Sequence, residues 1–278
     1  MPIIDGKSLA DSIRNSIKKE IEALGIKPCL ATILVGDNEA SKIYIKNKHN
    51  ACREVGIKSK DIRLNANIDE KELENVIREL NEDSSIDGIL LQLPLPKNFD
   101  KNKFLSLISP SKDVDGFHFI NAGKLFLGQN PLFKPCTPKG IIRLIESVSP
   151  VEGKNACVIG RSNIVGKPTA IMLLEKNATV TVCHSKTRSL AEFTKNADIV
   201  VVAVGKPKLL RAEMVKENAI VIDVGINRVN GRLCGDADFE EIVNKAYITP
   251  VPGGVGPMTI AMLLENVLIA AKRRSLHD

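Results

Sequence analysis

A lysine stands where a helix should be apolar. In ASKIYIKNKHNACREVG, which begins at Ala40, a turn of about 100° per residue puts Ala40, Tyr44, Ala51, Cys52 and Val55 on one face. Lys42, Lys46, His49 and Arg53 take the other side. Lys48 projects from within the apolar stripe, one turn after Tyr44 and almost two turns after Ser41. Such a lysine either snorkels along the core to water, or it faces a cleft, desolvated, and shuttles protons near neutral pH. In the second case Tyr44 supplies an aromatic wall and a hydroxyl. Gln92 poses a similar question, because it interrupts the apolar run GILLQLPLP. A buried amide needs partners, and open α/β sheets bind ligands at strand C-terminal ends. In SKDVDGF, Asp113 and Asp115 either build a turn before Gly116, or offer a carboxylate to an amidine-like ring edge through two hydrogen bonds.

A second set of residues could hold a dinucleotide. ACVIGRSNIVGKP reads as strand, tight turn and helix start. Gly160 takes the first glycine position of the usual fingerprint, Ser162 replaces the second and Val165 the third, with Gly166 one residue late. The turn would present backbone N–H groups and a helix N-terminus to a pyrophosphate. Sites for NAD tend to carry an acid at the end of the next strand. Here that position reads CHSKTR, so Ser185, Lys186 and Arg188, with Arg161 in the first turn, favour a 2′-phosphate and hence NADP. In TPVPGGVGPMT, Pro and Gly fix an irregular loop that is either a hinge or a lining of a cleft between domains.

The elements that carry these residues alternate. Helices are expected from Ser8 to Leu24, from Ala40 to about Gly56, and over DEKELENVIRELN with Asp69 as N-cap. Between them CLATILVG, IKSKDIRL and DGILLQLPLP read as strands. Three βα alternations imply a parallel sheet with crossover helices. Ser109 to Pro138 reads as long functional loops and a domain boundary. A helix follows from Thr137 with Pro138 in its first turn. NACVIG, ATVTVCHS, ADIVVVAVG and AIVIDVGIN then read as strands of a doubly wound sheet, closed by a long apolar helix. The expected fold is α/β with two βα domains: a catalytic domain of residues 1–118 plus 257–278, and a Rossmann-type NADP-binding domain of residues 119–256 with a cleft between them.

Composition removes several other functions. The chain has 278 residues, 44% hydrophobic and 26% charged, with a net charge of +6. Aromatics are 4% with no Trp, which argues against a stacking surface for nucleic acid. Basic residues are scattered and suit small anionic ligands. The six cysteines form no CxxC pair and the four histidines lack ligand spacing, so reduced core thiols and no metal are expected. The N-terminus has no leader pattern, and no apolar run reads as long enough to cross a bilayer. A cytoplasmic protein without membrane contact is expected.

Taken together, SKIYIKNK, GILLQLPLP, KDVDGF, KPCTPKGI, GRSNIVGKP, CHSKT, VIDVGIN and TPVPGGVGPMT resemble the bifunctional methylenetetrahydrofolate dehydrogenase/cyclohydrolase family (FolD type), from about Asp5 to Arg274 and in the family's order. The resemblance implies oxidation of 5,10-methylenetetrahydrofolate by hydride transfer to NADP, then hydrolysis of the methenyl compound to 10-formyltetrahydrofolate. It also implies one-carbon metabolism, including purine biosynthesis, and a homodimer formed through the second domain. Carried onto matching positions, Lys48 is the acid/base of the hydrolytic step, Tyr44 stacks on folate and orients it, and Gln92 tunes it. Asp115 holds the pterin edge, and Gly254 and Val255 line the folate cleft. Gly160, Arg161, Ser162, Ser185 and Ile226 contact NADP, and Cys136 is structural. Phe119 and Ile120 stand where many members have Pro-Tyr, and Ala237 where Val is common. Two other readings use the same residues: a monofunctional dehydrogenase, and a non-catalytic NADP-binding regulator.

Overall fold

The computed structural model describes residues 3–275. Its described residues form two compact units. One comprises Ser12–Cys136 with the segment from Ile260 onward; the other comprises the segment up to Asp11 with Thr137–Thr259.

The first unit starts from α1 (Gly6–Leu24), β1 (Cys29–Val35), α2 (Glu39–Val55), β2 (Lys58–Leu64), α3 (Glu70–Glu82) and β3 (Gly88–Leu91). Its three strands are parallel in the order β2-β1-β3. The central strand is buried over nearly its whole length because helices cover both faces, which is why CLATILV is a continuous apolar run. On the edge strand β2, charges face water and discourage further pairing. Leu73, Ile77 and Leu80 of α3 are buried at i, i+4 and i+7, and Asp69 caps the helix by accepting from Lys71 N. Each such residue contributes about 1.5–3 kcal/mol by leaving water.

Two short helices, α4 (Lys101–Leu107) and α5 (Phe119–Phe126), follow, and then α6 (Cys136–Glu146). The stretch from Ser109 to Pro138, expected as loops, therefore contains α5 and the start of α6. This stretch is tied to the first sheet. Ile89 N donates to Lys112 O at 2.8 Å, and the Asp113 carboxylate accepts from Phe117 N, His118 N and Asn121 Nδ2 at 3.0, 2.9 and 2.9 Å. The compact unit that holds this stretch runs to Cys136, and the other resumes at Thr137.

The second unit holds β4 (Asn155–Ile159), α7 (Gly166–Glu175), β5 (Thr179–Cys183), α8 (Leu190–Thr194), β6 (Ile199–Val202), β7 (Ile220–Asp223), β8 (Asn227–Val229), β9 (Arg232–Cys234), α9 (Phe239–Ile242) and β10 (Tyr247–Ile248). The parallel order is β10-β7-β6-β4-β5. The chain leaves β4 to one side for β5 and crosses back for β6, so the order reverses between β4 and β6. The strand expected over AIVIDVGIN ends at Asp223, and Asn227 opens the β8–β9 hairpin, turned by Asn230 and Gly231 at φ 50° and 78°. Ile4 N donates to Ile248 O at 3.0 Å, which joins the N-terminal segment to this unit.

The last helix, α10 (Val255–Ser275), corrects one expectation. It is long and apolar enough to cross a membrane by length and composition, yet most of its apolar window is buried inside the protein, as in a core helix.

Candidate active site

The caps of α2 set the register that aims Lys48. Asn38 accepts from Ser41 N at the start, and Gly56, left-handed at φ 85°, closes the end. In that register Ser41, Ile45, Cys52 and Val55 are buried, and Lys48 lies among them, three residues after Ile45 and four before Cys52. Tyr44, expected on the same face, stands at its flank and is exposed; Ile45 takes the buried place.

Lys48 turns inward. Its Nζ donates to Gln92 Oε1 at 3.0 Å. Gln92 is the first residue past β3, and its N–H donates to Ile33 O of β1 at 2.9 Å. Its Nε2 donates to Leu93 O at 2.6 Å, which leaves Oε1 for the ammonium, a group that only donates. Near the same ammonium, burial pushes the Cys52 thiol up to about 12, so it stays protonated.

The two aspartates of KDVDGF divide the work. Asp113 is the loop's staple, with the three donors described above. Burial raises it to about 6, and those hydrogen bonds work against the rise. Asp115 is raised by burial first, while the Lys48 ammonium and a hydrogen bond from the Cys136 thiol pull it down. The first unit thus brings together Lys48, Gln92 and Asp115: a cation, an amide that orients it, and a carboxyl beside it.

In the second unit the corresponding end is built of backbone. Gly160 has φ 128°, and a Cβ there would lie 2.4 Å from Ala203 O. A Cβ on Gly166 would lie 2.1 Å from Gly160 O. Gly166 therefore gives the close helix–strand packing of the third fingerprint glycine, one residue late. Ser162 Oγ accepts from Val165 N and Gly166 N, both at 3.2 Å, and so caps α7. Arg161 and Ser162 are exposed, as are Ser185, Lys186 and Arg188 beyond β5. That turn is folded by Thr187, whose Oγ1 accepts from His184 N at 2.9 Å.

Ile226 is exposed after β7. Its loop hangs from Asp223, which accepts from Gly225 N, Asp236 N and Ala237 N at 3.0, 2.8 and 2.8 Å. Asp236 in turn accepts from Val204 N and Gly205 N, at 2.7 and 2.9 Å, after β6. Gly254 and Val255 are buried, and Gly254 packs on the Gly6 backbone, where a Cβ on Gly6 would lie 2.1 Å from Gly254 O.

Sequence reasoning missed several buried polar residues, His118 and Asn266 among them. His118 caps α5, its Nδ1 accepting from Ile120 N at 3.1 Å, and its Nε2 lies 3.1 Å from Ser106 O, so Nε2 carries the proton. Asn266 of α10 is fully buried. Its signal was available: a polar residue inside the apolar run AMLLENVLIAA, the same irregularity that singled out Lys48.

Comparison with known proteins decides the family. Residues 4–115 match the profile described as "Tetrahydrofolate dehydrogenase/cyclohydrolase, catalytic domain", and residues 135–275 match "Tetrahydrofolate dehydrogenase/cyclohydrolase, NAD(P)-binding domain". The chain belongs to the tetrahydrofolate dehydrogenase/cyclohydrolase family. It is 56% identical to the bifunctional protein FolD of Campylobacter hominis over 99% of this chain and 98% of that one. It superimposes on the bifunctional FolD dehydrogenase/cyclohydrolase crystal structure from Campylobacter jejuni with a TM-score of 0.96, at 54% identity over 99% of each chain. The Trypanosoma brucei FolD dehydrogenase-cyclohydrolase, solved with NADP cofactor and inhibitor, gives a TM-score of 0.95 at 39% identity over 100% of each chain. Membership in the tetrahydrofolate dehydrogenase/cyclohydrolase family accounts for both ends described above.

Proposed function

We propose that Lys48 manages the protons of the hydrolytic step in an enzyme with two activities. The chain is an NADP-dependent oxidoreductase acting on 5,10-methylenetetrahydrofolate and a hydrolase of 5,10-methenyltetrahydrofolate, in folate one-carbon metabolism. NADP, when bound, supplies the hydride acceptor. The turn after β4 fits it, since Gly160 lets the strand end turn directly against the Ala203 backbone, and Arg161, Ser162, Ser185 and Ile226 offer exposed donors, a cation and an apolar edge beyond the strands.

Hydrolysis adds water to the methenyl carbon. The water becomes the formyl oxygen and gives up both protons: one goes to N5 as its bond to that carbon breaks, and the other leaves to solvent, which discharges the methenyl cation. A single acid/base beside the carbon serves both transfers. Gln92 holds Lys48 in place for them, Tyr44 offers an open ring face for stacking, and Asp115 accepts from the pterin edge. The observation that carries this reading is the 3.0 Å bond between Lys48 Nζ and Gln92 Oε1. A monofunctional dehydrogenase would have little use for a half-buried lysine so held.

One assay pair tests it. NADP reduction on adding methylenetetrahydrofolate, together with loss of methenyltetrahydrofolate absorbance in buffer-corrected traces, is expected. NADP binding with neither change would leave a regulator; reduction without hydrolysis would leave a monofunctional dehydrogenase.

We also propose a homodimer through the second unit. β5 is the outermost strand of its sheet, and Val182, Leu174 and Phe193 are exposed there. Sedimentation giving a monomer at micromolar concentration would remove this. Six free cysteines and a mostly buried α10 support the cytoplasm as its place, and its product suits purine biosynthesis.

A further inference from the structure

We propose that Asn266 is a positioning residue for Asp115, acting from α10 without touching substrate. The inference rests on the reading of Asp115 as the carboxylate that holds the pterin edge. Asn266 is fully buried between Leu263, Leu264, Val267 and Leu268, all of them buried. An amide in such surroundings costs about 1–3 kcal/mol if its hydrogen bonds go unmet.

Its bonds go to the two segments that flank Asp115. Asn266 Nδ2 donates to Val114 O at 2.8 Å and to Lys134 O at 3.2 Å. Val114 is the residue immediately before Asp115. Lys134 supports the residue immediately after it: a Cβ on Gly116 would lie 2.7 Å from both Lys134 C and Pro135 N. Gly116 itself has φ 74°, which favours glycine. One side chain therefore holds the peptide preceding Asp115 and the backbone on which the following residue rests. Cys136 packs at the same point, its Sγ 3.3 Å from Val114 O and accepting from Asn266 Nδ2 at 3.6 Å. A carboxyl that must meet a ring edge through two bonds tolerates little displacement, and the side chain that sets its backbone sets that fit.

The test is a double-mutant cycle on the full chain. Asn266→Asp is nearly isosteric but turns an oxygen towards two carbonyl oxygens. The expected result is a KM for methylenetetrahydrofolate raised about 10-fold or more, with KM for NADP within about 3-fold of the parent. In an Asp115→Asn background the same substitution should change folate KM by less than about 3-fold, because the group it positions is already gone. Equal losses in both backgrounds, or a parental folate KM in Asn266→Asp beside a raised one in Asp115→Asn, would overturn the positioning role alone. A parental folate KM in Asp115→Asn would instead remove the reading of Asp115, and the positioning role with it. Should Asn266→Asp fail to bind NADP or to melt cooperatively, Asn266→Ser decides by the same cycle, since it withdraws the donor from Val114 O and Lys134 O without adding an acid. A raised folate KM that vanishes in the Asp115→Asn background supports the proposal; an unchanged or additive one overturns it.

Discussion

The two parallel sheets reach the same topological situation and fill it with different chemistry. In the first unit the order β2-β1-β3 reverses between β1 and β3; in the second, β10-β7-β6-β4-β5 reverses between β4 and β6. At the first reversal stand side chains: Gln92 beyond β3, bonded to Lys48 of α2, with Asp115 beside them. At the second stands backbone: Gly160 and Gly166 pressed together, with helix amides already capped by Ser162. Moving protons calls for titratable groups, and these hold one position only when buried hydrogen bonds orient them. Seating a polyphosphate calls for a tight strand-to-helix turn, and glycine allows that close backbone packing.

The comparison breaks first where a single atom closes the second end. Gly160→Val places carbon 2.4 Å from Ala203 O in a left-handed backbone, a strain of about 1–3 kcal/mol before the clash is counted. NADP-dependent oxidation should fall below detection, while methenyltetrahydrofolate hydrolysis stays within about 3-fold of the parent. Paired assays on one preparation check this; loss of both activities in a folded variant would show that the two ends are not separable.

A smaller effect is expected from Gln92→Leu, which keeps bulk but leaves the Lys48 ammonium without its acceptor. An unmet bond of that kind is worth about 1–3 kcal/mol, so hydrolysis should slow about 10-fold or more. KM for NADP should not move. The smallest effect belongs to the exposed cations beyond β5. Lys186→Ser with Arg188→Ser should lower the preference for NADP over NAD by about 5-fold, the scale of exposed charge pairs. A ratio of KM values unchanged by both substitutions would show that the 2′-phosphate is read elsewhere.

The sequence made the second end legible through spacing, and the first through irregularity. Lys48 and Gln92 each break an apolar pattern, and their partnership follows once both are placed at the sheet's C-terminal edge. At about 100° per residue Tyr44 and Ile45 both border the apolar stripe, and the structure buries Ile45 while Tyr44 stays exposed. Residue type alone did not rank Asp113 and Asp115, since both can build turns; the family resemblance chose Asp115, and the three donors that occupy Asp113 separate them in the structure. The short helix α5 escaped because Phe119, Ile120 and Phe126 are exposed, which erases the amphipathic signal, and because its cap is a histidine. The Asn230–Gly231 pair is a strong turn signal that the strand pattern around it left unused. Asn266 was legible as an irregularity, but its partners needed the fold itself, because Val114 and Lys134 lie far from it in sequence.

Lys48→Met gives the most direct test of the central claim, that an inward lysine held by Gln92 carries the hydrolytic chemistry and not the binding of either ligand. Methenyltetrahydrofolate hydrolysis should drop about 100-fold or more, the usual share of a positioned acid/base, while folate and NADP still bind when titrated. Unchanged hydrolysis in the same folded sample would contradict it.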